Sequence, residues 1–203
     1  MRIGIFGTGG MADALGTQWA RAGHELLVSG RDRGKADALA KQLGARAGSW
    51  QEVADFADAI LLALPAERVP EVLAQVDSLR DKVIVDCTNW VLPGTTTLAG
   101  PSMARKIAGL KPAAHVVKAF NLAHVDVWRL TPPVFGGRAV AVPLCGDDPG
   151  ALDAVRTLVS DLGCTPFDGG RLDRAPLLEA TAAFVIGLWS GGLDAQAILT
   201  PAG

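Results

Sequence analysis

Arg2-Ile3-Gly4-Ile5-Phe6 runs straight into Gly7-Thr8-Gly9-Gly10-Met11-Ala12, and few architectures accept an apolar run followed at once by clustered glycines and a helical pattern. The six residues fit G-x-G-x-x-A. In that pattern the first glycine permits a tight turn, and the second lets backbone approach a pyrophosphate. The third small residue lets helix pack on strand, while the helix N-terminus supplies N–H donors and a partial positive charge. Lying between a predicted strand and a predicted helix (about residues 10–22), the motif predicts a dinucleotide-binding βαβ unit. The other reading is a tight turn that binds nothing.

The same alternation continues down the chain. Glu25–Ser29 is a second apolar run, set off by Gly23-His24, with a charged, alanine-rich helix expected over about 32–43. Residues 57–64 (ADAILLAL) and 82–86 (KVIVD) are near-continuous apolar runs, the mark of strands covered on both faces. Helical spacing follows Pro65 over 67–76 and recurs at about 149–162. Further strands are expected at 116–119, 139–144 and 164–167, and a mostly helical tail at about 175–199, interrupted by Gly191-Gly192. This spacing predicts a Rossmann-type, doubly wound α/β fold with a mostly parallel sheet and right-handed crossovers. One domain is expected to span 1–203, with a C-terminal helical segment from about 171.

Composition narrows the function classes. With 203 residues, 49% hydrophobic and 20% charged, the chain can bury a core, and wholesale disorder is excluded. A net charge of −2 without blocks of like charge argues against a nucleic-acid partner. Cys87, Cys145 and Cys164 form no CxxC pair and read as buried thiols in a reducing compartment, with no metal site. The uncharged stretch 180–193 falls short of the roughly 18–20 apolar residues that span a bilayer, so no membrane association is expected. The opening apolar run is too short for a signal-peptide core, and a cytoplasmic location is expected. The chain has no tyrosine and its last lysine is Lys118. Tyr-x-x-x-Lys chemistry and a catalytic lysine on a C-terminal helix are therefore both excluded.

The second strand selects the nucleotide. An NAD site usually carries an acidic residue there for the ribose 2′-hydroxyl. This chain reads Ser29-Gly30-Arg31-Asp32-Arg33-Gly34-Lys35, a hydroxyl and three cations suited to a 2′-phosphate. NADP(H) is thus favoured over NAD, against the alternative of a solvated first helical turn. Asp32 reads as a helix N-terminal residue.

Ligands of open α/β sheets lie beyond the carboxyl ends of the strands. Leu64 and Pro65 are expected to wall the cofactor, Thr88 and Asn89 to hold its carboxamide or ribose, and Phe120 and Asn121 to offer an apolar face beside an amide. Strand termination, turn formation and loop anchoring are the structural alternatives at these positions. His115 reads as structural; His124, in a loop near Asn121, could touch substrate, but with Asp126 it makes a poorly oriented pair. Cys87 reads as packing, and Trp90, Trp128 and Trp189 read as core, with the lining of an aromatic acceptor pocket as the alternative. No residue is assigned as catalytic.

With these residues in view, the chain resembles the deazaflavin (coenzyme F-420)-dependent NADP oxidoreductase family, which includes the oxidoreductase domain of six-transmembrane metalloreductases. The resemblance rests on the opening Arg2-Ile3-Gly4-Ile5-Phe6-Gly7-Thr8-Gly9, Gly23-His24-Glu25, Ser29-Gly30-Arg31, Asp86 to Asn89 and Lys118-Ala119-Phe120-Asn121. Later come Leu144-Cys145-Gly146-Asp147-Asp148, then Asp168-Gly169-Gly170-Arg171-Leu172 and Leu178-Glu179. It implies a homodimeric NADPH enzyme exchanging hydride with a flavin or deazaflavin acceptor. It also implies Thr8, Gly9 and Met11 on the pyrophosphate, Arg31 and Lys35 on the 2′-phosphate, and Asn89 and Asn121 near the nicotinamide. Hydride transfer between stacked rings depends on proximity and orientation, so no dedicated acid is obligatory. The alternative function is a non-catalytic NADP(H)-binding redox sensor. Reduction of an imine as in pyrroline-carboxylate reductases is a weaker third reading, because those enzymes add a substantial helical dimerisation domain. The apolar C-terminal helix, with Phe184, Ile186, Leu188 and Trp189, is expected to pair with a second copy.

Overall fold

The computed structural model describes residues 1–193. In chain order its elements are β1 (Arg2–Phe6), α1 (Gly10–Arg21), β2 (Glu25–Ser29), α2 (Arg33–Gln42), β3 (Arg46–Ala47), α3 (Trp50–Phe56), β4 (Ala59–Leu62) and α4 (Val69–Leu73). They continue as β5 (Val83–Asp86), α5 (Met103–Leu110), β6 (His115–Lys118), β7 (Val134–Phe135), β8 (Arg138–Ala139), β9 (Ala141–Gly146), α6 (Pro149–Ser160), β10 (Thr165–Asp168) and α7 (Ala175–Ser190).

Local chemistry explains most helix starts. Asp32 caps α2 by accepting from the Lys35 N–H, and Ser49 with Glu52 forms a capping box on α3. Ser102 caps α5, and Asp148 caps α6 ahead of Pro149. The start of α1 at Gly9 has no side-chain cap. Helix α7 ends on Gly191-Gly192, where Gly192 takes φ +72° and Leu193 N–H bonds back to Leu188 O at 2.9 Å. The expected helical continuation over 194–199 lies outside the described residues.

The strands form an eight-stranded sheet in the order β10-β9-β6-β5-β4-β1-β2-β3, Rossmann-like in its helical cover on both faces. Within this sheet all pairings are parallel except β6 with β9. Alternate strand residues enter opposite cores: Val85 and Val117 join Trp19, Leu15 and Leu158 on one face, while Ile84 and Val116 join Val53, Leu73 and Ile107 on the other. Burial on both faces accounts for the uninterrupted apolar runs.

Three expectations change in detail. The helix expected over 67–76 is a 3-10 turn (Ala66–Arg68) followed by the short α4. The strand expected at 139–144 begins at Ala141 instead, because Ala139 belongs to a small β7–β8 hairpin. Helices α3 and α5 were not expected: α3 is only seven residues long, and α5, although amphipathic with Met103, Ala104 and Ile107 on its buried side, is only eight. None of the described helices is long and apolar enough to cross a membrane.

Candidate functional site

The glycine turn is built by close approach. Gly7 sits at φ +126°, and a Cβ there would lie 2.1 Å from the Ala63 carbonyl oxygen, so only glycine lets β1 leave the sheet beside β4. At Gly9 a Cβ would meet nothing within 4 Å, and the uncapped N-terminus of α1 faces that open space. Ala12 is fully buried, as a small residue at the helix–strand contact must be. A Cβ on Gly30 would fall 2.6 Å from Thr8 Cγ2. Glycine at this position therefore lets the loop after β2 lie against the glycine turn, and Arg31 lines the same cavity.

A cavity of about 470 Å³ lies along this edge. It brings together Gly7, Thr8, Gly9, Gly30, Arg31, Lys35, Leu64 and Pro65 from the sequence-predicted set, with Asp32 beside them. Trp50, Arg68, Glu71 and Gln75 also line it and escaped the sequence reading. Trp50 stands edge-on to Phe6 with centroids 5.1 Å apart, and Arg68 pairs with Glu71 at 2.9 Å. Ser29 is buried, and its carbonyl accepts the Gly7 N–H at 2.8 Å. Gly10, Met11 and Ala12 form the first turn of α1 and do not line the cavity. Arg33 turns elsewhere: its guanidinium bonds Asp37 at 3.1 Å and Ala47 O at 3.0 Å, away from the cavity wall.

A second constellation lies at the ends of β5 and β6. Asn121 Nδ2 donates to Asn89 Oδ1 at 3.0 Å and to Leu178 O at 3.1 Å, while Asn89 Nδ2 donates to Asn121 O at 2.7 Å. The two amides lock each other across the strand ends. Thr88 is buried, and its hydroxyl donates to Asp86 Oδ1 at 2.7 Å. Phe120 departs from its expected role. Its left-handed backbone (φ +61°) turns the ring into the core between Trp19 and Trp128, at centroid distances of 5.9 and 5.5 Å. The aromatic face therefore belongs to packing, and only its backbone borders the strand end.

Beneath these residues is a charged group that the sequence did not advertise. Lys118 Nζ donates to Asp86 Oδ2 at 2.9 Å, to Glu179 Oε1 at 3.2 Å and to the Thr88 carbonyl oxygen. All three charged side chains are buried. The adjacent carboxylates raise the Lys118 pKa above the usual lysine value despite burial, which alone would lower it. With all three ammonium hydrogens engaged, Lys118 has none free to donate to a substrate. The signal was a lone aspartate and a lone lysine, each closing an otherwise apolar strand.

The remaining candidates are structural or exposed. Burial pushes the Cys87 thiol up to about 12 and the Cys164 thiol to about 11, so neither is a nucleophile near neutral pH. His115 lies 3.7 Å from Asp148, and His124 lies 3.3 Å from Asp126 in an exposed turn. Trp128 is core, and Trp90 is half-buried beneath Lys106. Trp189 is exposed and stands edge-on to His124, not in the core as expected. Among the described residues, no group of three or more His, Cys, Asp or Glu is placed to hold a metal ion.

Comparison with known proteins points the same way. Residues 2–90 match the family described as NADP oxidoreductase, coenzyme F420-dependent. The chain is 30% identical to the metalloreductase STEAP3 of Rattus norvegicus over 93% of its own length and 38% of that protein. It is 29% identical to an NADPH-dependent reductive aminase of Aspergillus oryzae, covering 97% of the chain and 63% of the relative. With the F420-dependent NADP reductase of Methanothermobacter thermautotrophicus it shares 26% identity, over 93% and 89% of the two chains. The chain thus spans less than two thirds of the first two of these relatives. Its fold superposes with a TM-score of 0.79 on a putative F420-dependent NADP-reductase from Arthrobacter, 23% identical, covering 94% and 95% of the chains.

Proposed function

Because residues 2–90 match the family described as NADP oxidoreductase, coenzyme F420-dependent, we propose that this protein binds NADP(H) and passes hydride between its nicotinamide and a flavin-like or deazaflavin acceptor. One observation carries the reading. The uncapped start of α1, the Gly7–Gly9 turn and the cations Arg31 and Lys35 border one cavity along the carboxyl edge of the sheet.

The residues present fit the cofactor. The open space beside Gly9, into which a Cβ would project, suits an approaching diphosphate, which the N–H groups of the first turn of α1 would hold. Arg31 and Lys35 take the 2′-phosphate, and Leu64 and Pro65 keep water from the ring. Asn89 and Asn121, already fixed against each other, orient the carboxamide. When bound, the nicotinamide supplies a hydride, two electrons and one proton, and the acceptor ring takes a further proton from water. Orientation and exclusion of water are what this chain adds.

The similarity to a reductive aminase over 97% of the chain favours a second reading, delivery of hydride to an imine carbon. We read the protein as a homodimer in a reducing cytoplasm, which three buried free thiols suit. Steady-state oxidation of NADPH by purified protein, with a flavin, a deazaflavin and a cyclic imine in parallel, tests these readings. Sustained turnover with either planar acceptor is expected. Binding of NADPH without turnover by any acceptor would leave the sensor reading instead.

A further inference from the structure

Asp86, Lys118 and Glu179 bring two negative charges and one positive charge together inside the protein, and their side chains are at most 3% exposed. Only donors surround the carboxylates. Glu179 accepts from Ser102 Oγ at 3.0 Å, from the Met103 and Ala104 N–H groups at 3.1 and 3.2 Å, and from Lys118. Asp86 accepts from the Thr88 N–H and hydroxyl and from Lys118. That is the environment of two anions. The cluster therefore holds an excess negative charge, of which the N-terminus of α5 offsets about half a unit. Arg105 and Lys106 of α5 are exposed, where water screens them.

Location gives this charge a consequence. Asp86 and Lys118 are the last residues of β5 and β6, directly below Thr88, Asn89 and Asn121. We propose that Glu179, acting through space from this buried cluster, biases the bound nicotinamide toward its oxidised, cationic form and so makes the reduced cofactor a stronger hydride donor. The inference rests on the reading above, in which the nicotinamide lies over these strand ends. The reduced ring is neutral and gains a positive charge as hydride leaves. A fixed negative charge in a dry interior stabilises that product without any rearrangement. Glu179 is a positioning residue in this scheme, because it acts without touching the ring.

The test is the ratio of the dissociation constants for NADP+ and NADPH, measured by calorimetry on the wild type and on Glu179→Gln. If the separation were about 10 Å, one unit charge acting through an effective dielectric of about 20 to 40 would shift such a ratio roughly 4- to 16-fold. The ratio of NADP+ to NADPH constants is expected to rise by that order in Glu179→Gln. Asp86→Asn should shift it in the same direction, and it leaves the contacts between α7 and α5 in place should the first variant fail to fold. Equal weakening of both nucleotides, with the ratio unmoved, would mark the cluster as purely structural and overturn the inference alone. A wild type that binds neither nucleotide would overturn the nucleotide reading and this inference with it.

Discussion

On the proposed reading, Arg31 would set both affinity and selectivity for the nucleotide. Gly30 leaves no room for a Cβ beside Thr8, and Arg31 borders the cavity beside the glycine turn. A guanidinium offers a planar pair of donors to a phosphate, whereas a ribose hydroxyl has no use for its charge. Arg31→Ala is expected to raise the NADPH dissociation constant by about 10- to 100-fold, the loss of a charge-assisted contact. The constant for NADH should move little. Parallel titrations measure both, and equal losses would show that Arg31 does not read the phosphate. Arg33 illustrates how far a residue can be read from its neighbours alone. Its type and spacing matched a phosphate ligand, yet it spends its donors on Asp37 and the Ala47 carbonyl.

Among the elements, α1 and α7 differ in what they leave unsatisfied. Helix α1 opens without a side chain on its first N–H groups and without a proline there, whereas α2, α3, α5 and α6 are capped and α4 and α7 begin with a proline in their first turn. Helix α7 leaves apolar surface: Leu177, Phe184 and Trp189 are exposed by 55%, 60% and 42%. A helix that is apolar nearly all round seeks a partner. Light scattering at micromolar concentration is therefore expected to report a dimer, and Phe184→Glu to shift it toward monomer. A wild-type monomer would count against α7 as the contact. The strands and the first two helices were legible because their periodicity and glycine punctuation are local. Helices α3 and α5 were not, since one is a single capped turn or two and the other follows a long irregular segment; tertiary packing stabilises both.

Across the whole molecule, the buried charges tie separate layers together. Glu179 on α7 receives the first N–H groups of α5 and the ammonium of Lys118 on β6, which in turn reaches Asp86 on β5. Removing one partner from such a group leaves uncompensated charge in a low dielectric. Lys118→Met is expected to cost about 3–5 kcal/mol of stability, a large share of the roughly 5–15 kcal/mol typical of a domain. Denaturant unfolding measures it, and a loss below about 1 kcal/mol would mean that water reaches the carboxylates.

Chain-local patterns by themselves determined the α/β alternation, the glycine turn and the cationic end of β2. Backbone geometry and burial periodicity act over a few residues and are written in order along the chain. Only the tertiary structure decided that β9 runs against β6, that Phe120 faces the core, and that Asp86 meets Lys118 thirty-two residues away. Such pairings depend on which strand ends and helix starts the fold brings together. The free energy of burying a charge is set by whatever partner arrives there, and no spacing in the sequence encodes it.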